Sequence, residues 1–363
     1  MRTNTKYFSS YYPSLLILLF FALSCTNDKD ALVAIKPHSR IVLIGNNLGS
    51  RMLNYGSFET EMHLRYPSDS LFIRNMCDGG DTPGFRPHSG RVSPWAFPGA
   101  EKFQTELAQN SGSEGVFETP DEWLTRLGAD IIIAFFGFNE SFEGPEGLKN
   151  YEGELDAFIR HTQNQEYNGV SAPQLVLVSP IAFEDVSDHM DVPNGETTNK
   201  NLLLYSKAMK KVCEANNVPF IDVYGPTKNW FENQDTDLTI DGSQLNKEGY
   251  EKFATLLADK LSGTKKIVSK NKRVAINEAV DEKNFYWHND YKIPNGVHVF
   301  GRRHAPYGPD NYPFEIKKTR QLTANRDSLI WATNQNNSYD LKAADAKTLA
   351  LPPVETNYNL GNG

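Results

Sequence analysis

Cysteine is scarce, with three in 363 residues at positions 25, 77 and 213. No two of them have the short spacing of a zinc or haem-attachment motif, so no metal site and no cofactor is expected. Excess positive charge is lacking too. Lys and Arg number 37 against 45 Asp and Glu, a formal charge of −8, which argues against a phosphate-binding face and a nucleic-acid partner. The one basic cluster, Lys265, Lys266, Lys270, Lys272 and Arg273, reads as a solvated linker. The longest apolar run, Leu15 to Leu23, is too short to cross a bilayer comfortably.

That run has a function of its own. Arg2 and Lys6 precede it and Ala22-Leu23-Ser24-Cys25 follows it, which is the layout of an export signal. A small residue before Cys25 resembles a bacterial lipoprotein cleavage site. Residues 1–25 are therefore expected to be a signal peptide, with Cys25 lipidated as the first mature residue and 26–38 as a tether. The alternative is an ordinary signal peptide cut nearby. The protein would then be exported, periplasmic or at the cell surface, and would meet a membrane only through its lipid. Cys77 and Cys213 are left to pair or to stand as two structural thiols.

Short runs rich in β-branched residues alternate with longer segments of helical period, the pattern of a parallel sheet covered by helices. Strands are predicted at 40–45, 71–76, 129–136, 174–180 and 218–224, and helices at 148–165, 198–216 and 246–262, the last capped by Asn246. The main α/β domain would span 39–263. Residues 264–363 form a C-terminal extension: an aromatic block around Phe285-Tyr286-Trp287-His288, a helix near 318–332 and an extended end. In open parallel sheets ligands bind beyond the carboxyl ends of the strands. Gly45-Asn46-Asn47, Asp78-Gly79-Gly80-Asp81 and Gly137-Phe138-Asn139 each follow a strand and should converge there. The Pro-, Gly- and Ser-rich stretch 82–119, carrying Arg86, His88, Arg91, Trp95 and Phe97, is too long and irregular for a plain connection and reads as a binding loop.

The ordered trio Gly45-Asn46-Asn47-Leu48, Phe136-Gly137-Phe138-Asn139-Glu140 and Asp241-Gly242-Ser243-Gln244-Leu245 resembles the SGNH (GDSL) hydrolase family. The resemblance spans about residues 40–263 and implies a flavodoxin-like three-layer α/β fold and ester hydrolysis. It also implies an oxyanion hole made by the Asn47 backbone, Gly80 and the Asn139 side chain, with Glu140 closing the third block. In the family a nucleophilic Ser stands where this chain has Asn47, and the catalytic His stands where it has Gln244, oriented by the acid here at Asp241. The runs around Phe136, Ser179-Pro180 and Phe285-Tyr286-Trp287 narrow the resemblance to domains at the front of large exported haem-binding bacterial proteins. Without a haem signature no redox role is carried over.

A carboxamide neither attacks like an activated hydroxyl nor shuttles a proton. Loss of a triad member costs on the order of 10⁴-fold in rate. Rescue would have to come from Ser50, Ser243 or His88, the last oriented by Asp78 or Asp81. Asn46, Asp81, Arg86, His88, Arg91 and Glu140 are the candidates for holding substrate, since guanidinium forks suit carboxylates and sugars. His38, His63 and His161 fall at element edges, where exposure is the default. His189 with Glu184, Asp185 and Asp188 is a metal site or, more simply, a solvated acidic loop. His288, His298 and His304 matter only if the tail folds over the pocket. The first reading is hydrolysis of a small-molecule or carbohydrate ester. A non-catalytic carbohydrate- or carboxylate-binding lipoprotein competes with it, and a structural lipoprotein would lack a cleft.

Overall fold

A computed structural model describes Met1 and residues 32–84, 118–263, 270–293 and 304–353, with side chains in the last stretch from 312 onward. Five strands form one parallel sheet: β1 (Arg40–Gly45), β2 (Phe72–Asn75), β3 (Ile131–Phe135), β4 (Gln174–Val178) and β5 (Phe220–Ile221), in the order β2-β1-β3-β4-β5. That order is doubly wound, with its switch point between β1 and β3. Around the sheet run α1 (Asn47–Ser50), α2 (Ser57–Arg65), α3 (Pro120–Leu127), α4 (Leu148–Gln163), α5 (Glu196–Ala215), α6 (Tyr224–Glu232) and α7 (Lys247–Ser262). The extension adds α8 (Lys270–Tyr291), α9 (His304–Asn334) and the short α10 (Leu341–Ala346).

The strands alternate strictly between two cores. Val42, Ile44, Ile132, Ala134, Leu175 and Leu177 face α4 and α5 through Leu155, Phe158, Tyr205 and Met209. Ile41, Leu43, Ile131, Ile133, Val176 and Val178 face α2 and α7 through Phe58, Met62, Phe253 and Leu257. Both faces are covered, which is why the strands read as unbroken apolar runs. Cys77 and Cys213 lie in opposite cores, both buried and neither in a disulfide, so they are two structural thiols and the pairing is ruled out.

The extension is no separate unit. Helices α8 and α9 pack on each other and on α2, and Trp287 and Tyr291 enter the same core as Trp123. Lys283, fully buried, donates to Glu59 at 2.6 Å and to the Ile73 carbonyl at 3.1 Å. Burial pushes the Glu59 carboxyl up, but the adjacent Lys283 ammonium and the His63 imidazole together outweigh it and hold Glu59 below the ordinary range. Arg74 forks onto Asp327 at 3.0 and 2.5 Å, and Trp287 Nε1 donates to the Asn75 carbonyl at 2.7 Å. These bonds bind the hairpin to β2, the edge strand.

Several expectations are corrected here. Lys270, Lys272 and Arg273 belong to α8, where Lys270 and Arg273 stay exposed and Arg273 pairs with Glu61 at 2.7 Å, so that part of the basic cluster is helical rather than a linker. The C-terminal stretch folds back as α10, whose Asp345 takes Arg326 at 2.6 Å. His63 is buried, with Nε2 3.4 Å from Glu59, and His161 sits 2.8 Å from Asp121. Neither is the exposed histidine its position suggested. Cys25 and the tether up to residue 31 lie outside the described residues.

Candidate functional site

Two glycines open the switch point. Gly45 ends β1 at φ +117°, where a Cβ would strike the Phe135 carbonyl of the neighbouring strand. Gly137 turns the chain out of β3 at φ +93°, with the Tyr151 hydroxyl 3.0 Å from any added Cβ. Only a residue without a side chain meets both demands. Asn46 N donates to the Phe135 carbonyl at 2.9 Å and Asp78 N to Gly45 at 2.8 Å, which draws the first two loops onto the same edge. Asn46 then caps α1 with its side-chain oxygen accepting from Leu48 N at 3.4 Å.

The third loop arrives from β4 and α7. Glu184 is buried and accepts from the N–H groups of Leu238 and Thr239 and from the Thr239 hydroxyl at 2.5–3.1 Å. This pins the segment leading to Asp241. Asp241 Oδ1 accepts from the Ser243 and Gln244 N–H groups at 2.9 and 2.8 Å and from the Ser243 hydroxyl at 3.0 Å, while Oδ2 accepts from Gln244 Nε2 at 2.7 Å. Partial burial works against its charge, but these donors outweigh burial and hold the carboxyl below its ordinary value. Gln244 thus occupies the acid as an imidazole would, without a proton to pass on.

Asn46, Asn47, Arg51, Ser243 and Gln244 meet around a cavity of about 20 Å³ walled by Phe135, Phe136 and Phe138. Asn47 Oδ1 comes within 3.8 Å of the place a Cβ on Gly79 would take. The oxyanion hole departs from expectation. Asn139 Nδ2 donates to the carbonyls of both Gly79 and Asp81, each at 3.0 Å. A primary amide has two protons, and both hold the loop around Gly80, so in this arrangement Asn139 has none left for an oxyanion. Asp81 is likewise buried, its backbone carbonyl taken by Asn139.

Behind this loop lies an acidic pocket. Glu140 Oε2 accepts from Gly137 N at 2.8 Å. Burial pushes the Glu140 carboxyl up to about 8, against the pull of the Glu140 and Gly137 N–H groups and with the Glu154 charge adding to the push. Glu154 is pushed up to about 7 by burial, opposed by bonds from Gly84 N and Thr82. Burial also raises the Tyr151 hydroxyl well above its usual range. Glu140 is therefore a support for the Gly137 turn.

Contacts the sequence did not signal come from the extension. Lys292, just beyond α8, donates to Ser50 Oγ at 3.2 Å and lies 3.5 Å from Asp78 Oδ2. His288 stands nearby, its imidazole pushed down by burial and by the Lys292 charge, against the pull of Asp78. The tail therefore reaches the strand ends. Ser243 donates to Asp241 and is a loop hydroxyl. Arg86, His88 and Arg91 lie outside the described residues. His189 bridges Asp188 and Asp237 at 2.5 and 2.9 Å, and among the described residues no group of three His, Cys, Asp or Glu is placed to hold a metal.

No curated protein sequence matches the chain. Among solved structures, a gut microbial diltiazem-metabolizing enzyme superposes with a TM-score of 0.46 at 13% identity, covering 64% of this chain and 49% of that one. The chain thus spans about half that enzyme's length. Axe2, an acetylxylan esterase from Geobacillus stearothermophilus, gives 0.45 at 12% identity over 66% and 100% of the two chains. LAE5, an alpha/beta hydrolase enzyme from the metagenome of Lake Arreo, Spain, gives 0.44 at 14% over 64% and 99%. The GDSL-like Lipase/Acylhydrolase family model matches residues 87–252. That match includes Asn139, Glu140, Asp241 and Gln244, and starts after Asn46, Asn47 and Gly80. The chain therefore carries a domain of the GDSL-like lipase/acylhydrolase family, an ester-hydrolase fold, at residues 87–252.

Proposed function

We propose that this protein binds an acylated ligand, such as an esterified carbohydrate, at the strand ends of its hydrolase fold and does not turn it over by the family's serine mechanism. The observation that carries this reading is the bond from Gln244 Nε2 to Asp241 Oδ2 at 2.7 Å. It supports the reading because a carboxamide at the acid cannot transfer a proton, and Asn47, at the position the resemblance gives the nucleophile, is a second carboxamide. The commitment of both Asn139 amide protons to the Gly79 and Asp81 carbonyls supports the same reading. The leader ending at Cys25 supports export and a lipid anchor, so the ligand would be met outside the cytoplasm.

A second reading has one observation in its favour. Lys292 donates to Ser50 Oγ at 3.2 Å, a hydroxyl–amine pair of the type that can serve acyl transfer. Ser50 is absent from the lining of the cavity, which places it second. Both readings are tested by assaying purified protein against short acyl esters and acetylated sugars beside Asn139→Ala. Saturable binding without hydrolysis above the variant's background is expected. Turnover that drops in Asn139→Ala or in Ser50→Ala would overturn the binding reading and put an ester hydrolase in its place.

A further inference from the structure

The cavity between α1 and the Asp241–Gln244 loop has two buried donors without partners on its wall. Asn46 is 2% exposed, and its Nδ2 has no hydrogen-bond partner. Arg51, one turn along, has a buried Nε that is also unpartnered, while its terminal nitrogen donates to the Tyr55 hydroxyl at 3.3 Å. Both residues line the same cavity. Two of the hydroxyls on the wall are already engaged. The Tyr250 hydroxyl donates to the Leu48 carbonyl at 3.0 Å, and Ser179 Oγ donates to Pro180 and accepts from Val223 and Tyr224. Among the described residues, Arg51 is the only charged one on the wall, and no Asp or Glu lines it.

Buried donors without acceptors are uncommon in folded proteins, and a pocket that carries two, one of them cationic, is complementary to an anion rich in acceptors. Size narrows the choice. A cavity begins to admit one water at roughly 10–15 Å³, so about 20 Å³ limits the occupant to a very small head group and leaves no space for a sugar ring. Phe135, Phe136, Phe138 and Ile181 on the wall favour a methyl over a polar substituent. We infer that this cavity is a binding site for a short-chain monocarboxylate of acetate size, with Asn46 Nδ2 and Arg51 Nε as its donors. The inference deepens the binding reading above and rests on it. It assigns the carboxylate, rather than the neutral ester, as the species the small cavity prefers.

Saturation-transfer NMR on the methyl resonance of sodium acetate, with the full chain at constant ionic strength, tests this. Acetamide is the neutral twin and an acetylated monosaccharide the ester control. Acetate is expected to bind saturably and acetamide at least about tenfold more weakly, the scale of one charge-assisted bond. Arg51→Gln should weaken acetate by about the same factor. Arg51→Lys, which keeps the charge and loses the Nε donor, should fall between. Thermal melts verify that each variant is folded. Equal binding of acetate and acetamide, or acetate binding unchanged in Arg51→Gln, would overturn the inference. Binding of the acetylated sugar without acetate would overturn it while leaving the binding reading intact, and binding of neither would remove both.

Discussion

Glu140 shows how one residue links the site to solution conditions. Its folded value near 8, against an ordinary 4.5, means that the folded chain holds a proton the unfolded chain releases. Stability from this group is full below pH 4.5 and is lost as pH rises through 8. Glu154 adds a second loss that ends near pH 7. The native melting temperature should therefore fall from pH 5 toward pH 8. In Glu140→Gln, which keeps an acceptor for Gly137 N, only the Glu154 part should remain, so the curve should flatten above about pH 7. Melts across that range check it, and a variant that tracks the native protein at every pH would dismiss the Glu140 assignment. None of this was visible in the sequence, where Glu140 reads as the last letter of a motif. Its electrostatic neighbours Tyr151 and Glu154 come from α4. The expectation that Asn47 and Gln244 stand in place of a nucleophile and a base, by contrast, came only from the resemblance to the hydrolase family.

At the scale of elements, the joint between α8 and the pair α2 and β2 is made of charges. Removing one partner of a buried pair costs about 3–5 kcal/mol, because the other charge stays behind without compensation. Lys283→Met should destabilise by about that amount in denaturant unfolding, and adding Glu59→Gln should recover most of it. A double variant no better than the single one would show that packing, rather than charge, holds the joint. The same joint explains why the extension was misread. Lys283, Asn284 and Asp290 point inward from α8, and a pattern that assigns polar residues to solvent puts the docked face of this helix outside. The five strands posed no such problem, since their runs of Ile, Val and Leu carry one answer on both faces. The loop between β4 and α5 was legible as acidic, but its purpose was not. Glu184 serves the backbone of Leu238 and Thr239, more than fifty positions away.

At the scale of the whole molecule, the division at residue 263 follows the change in sequence pattern and not the folding unit. A chain ending at Gly263 would expose the β2 edge, strip Trp287 from the core and leave Glu59 and Arg74 without Lys283 and Asp327. It is expected to be poorly soluble and to melt without a cooperative transition, as solubility on expression and far-UV circular dichroism would show. A soluble, cooperatively folding fragment would make the extension an addition rather than a part. The docking also has an optical consequence. Trp123 of α3 and Trp287 of α8 meet edge to face at 5.8 Å, and Tyr291 stacks on Trp287 at 5.6 Å. The two indoles come from opposite sides of the joint, so their near-ultraviolet coupling exists only while the hairpin is seated. The protein thus carries its own chromophore pair for timing, without any label, when the tail lets go of the sheet.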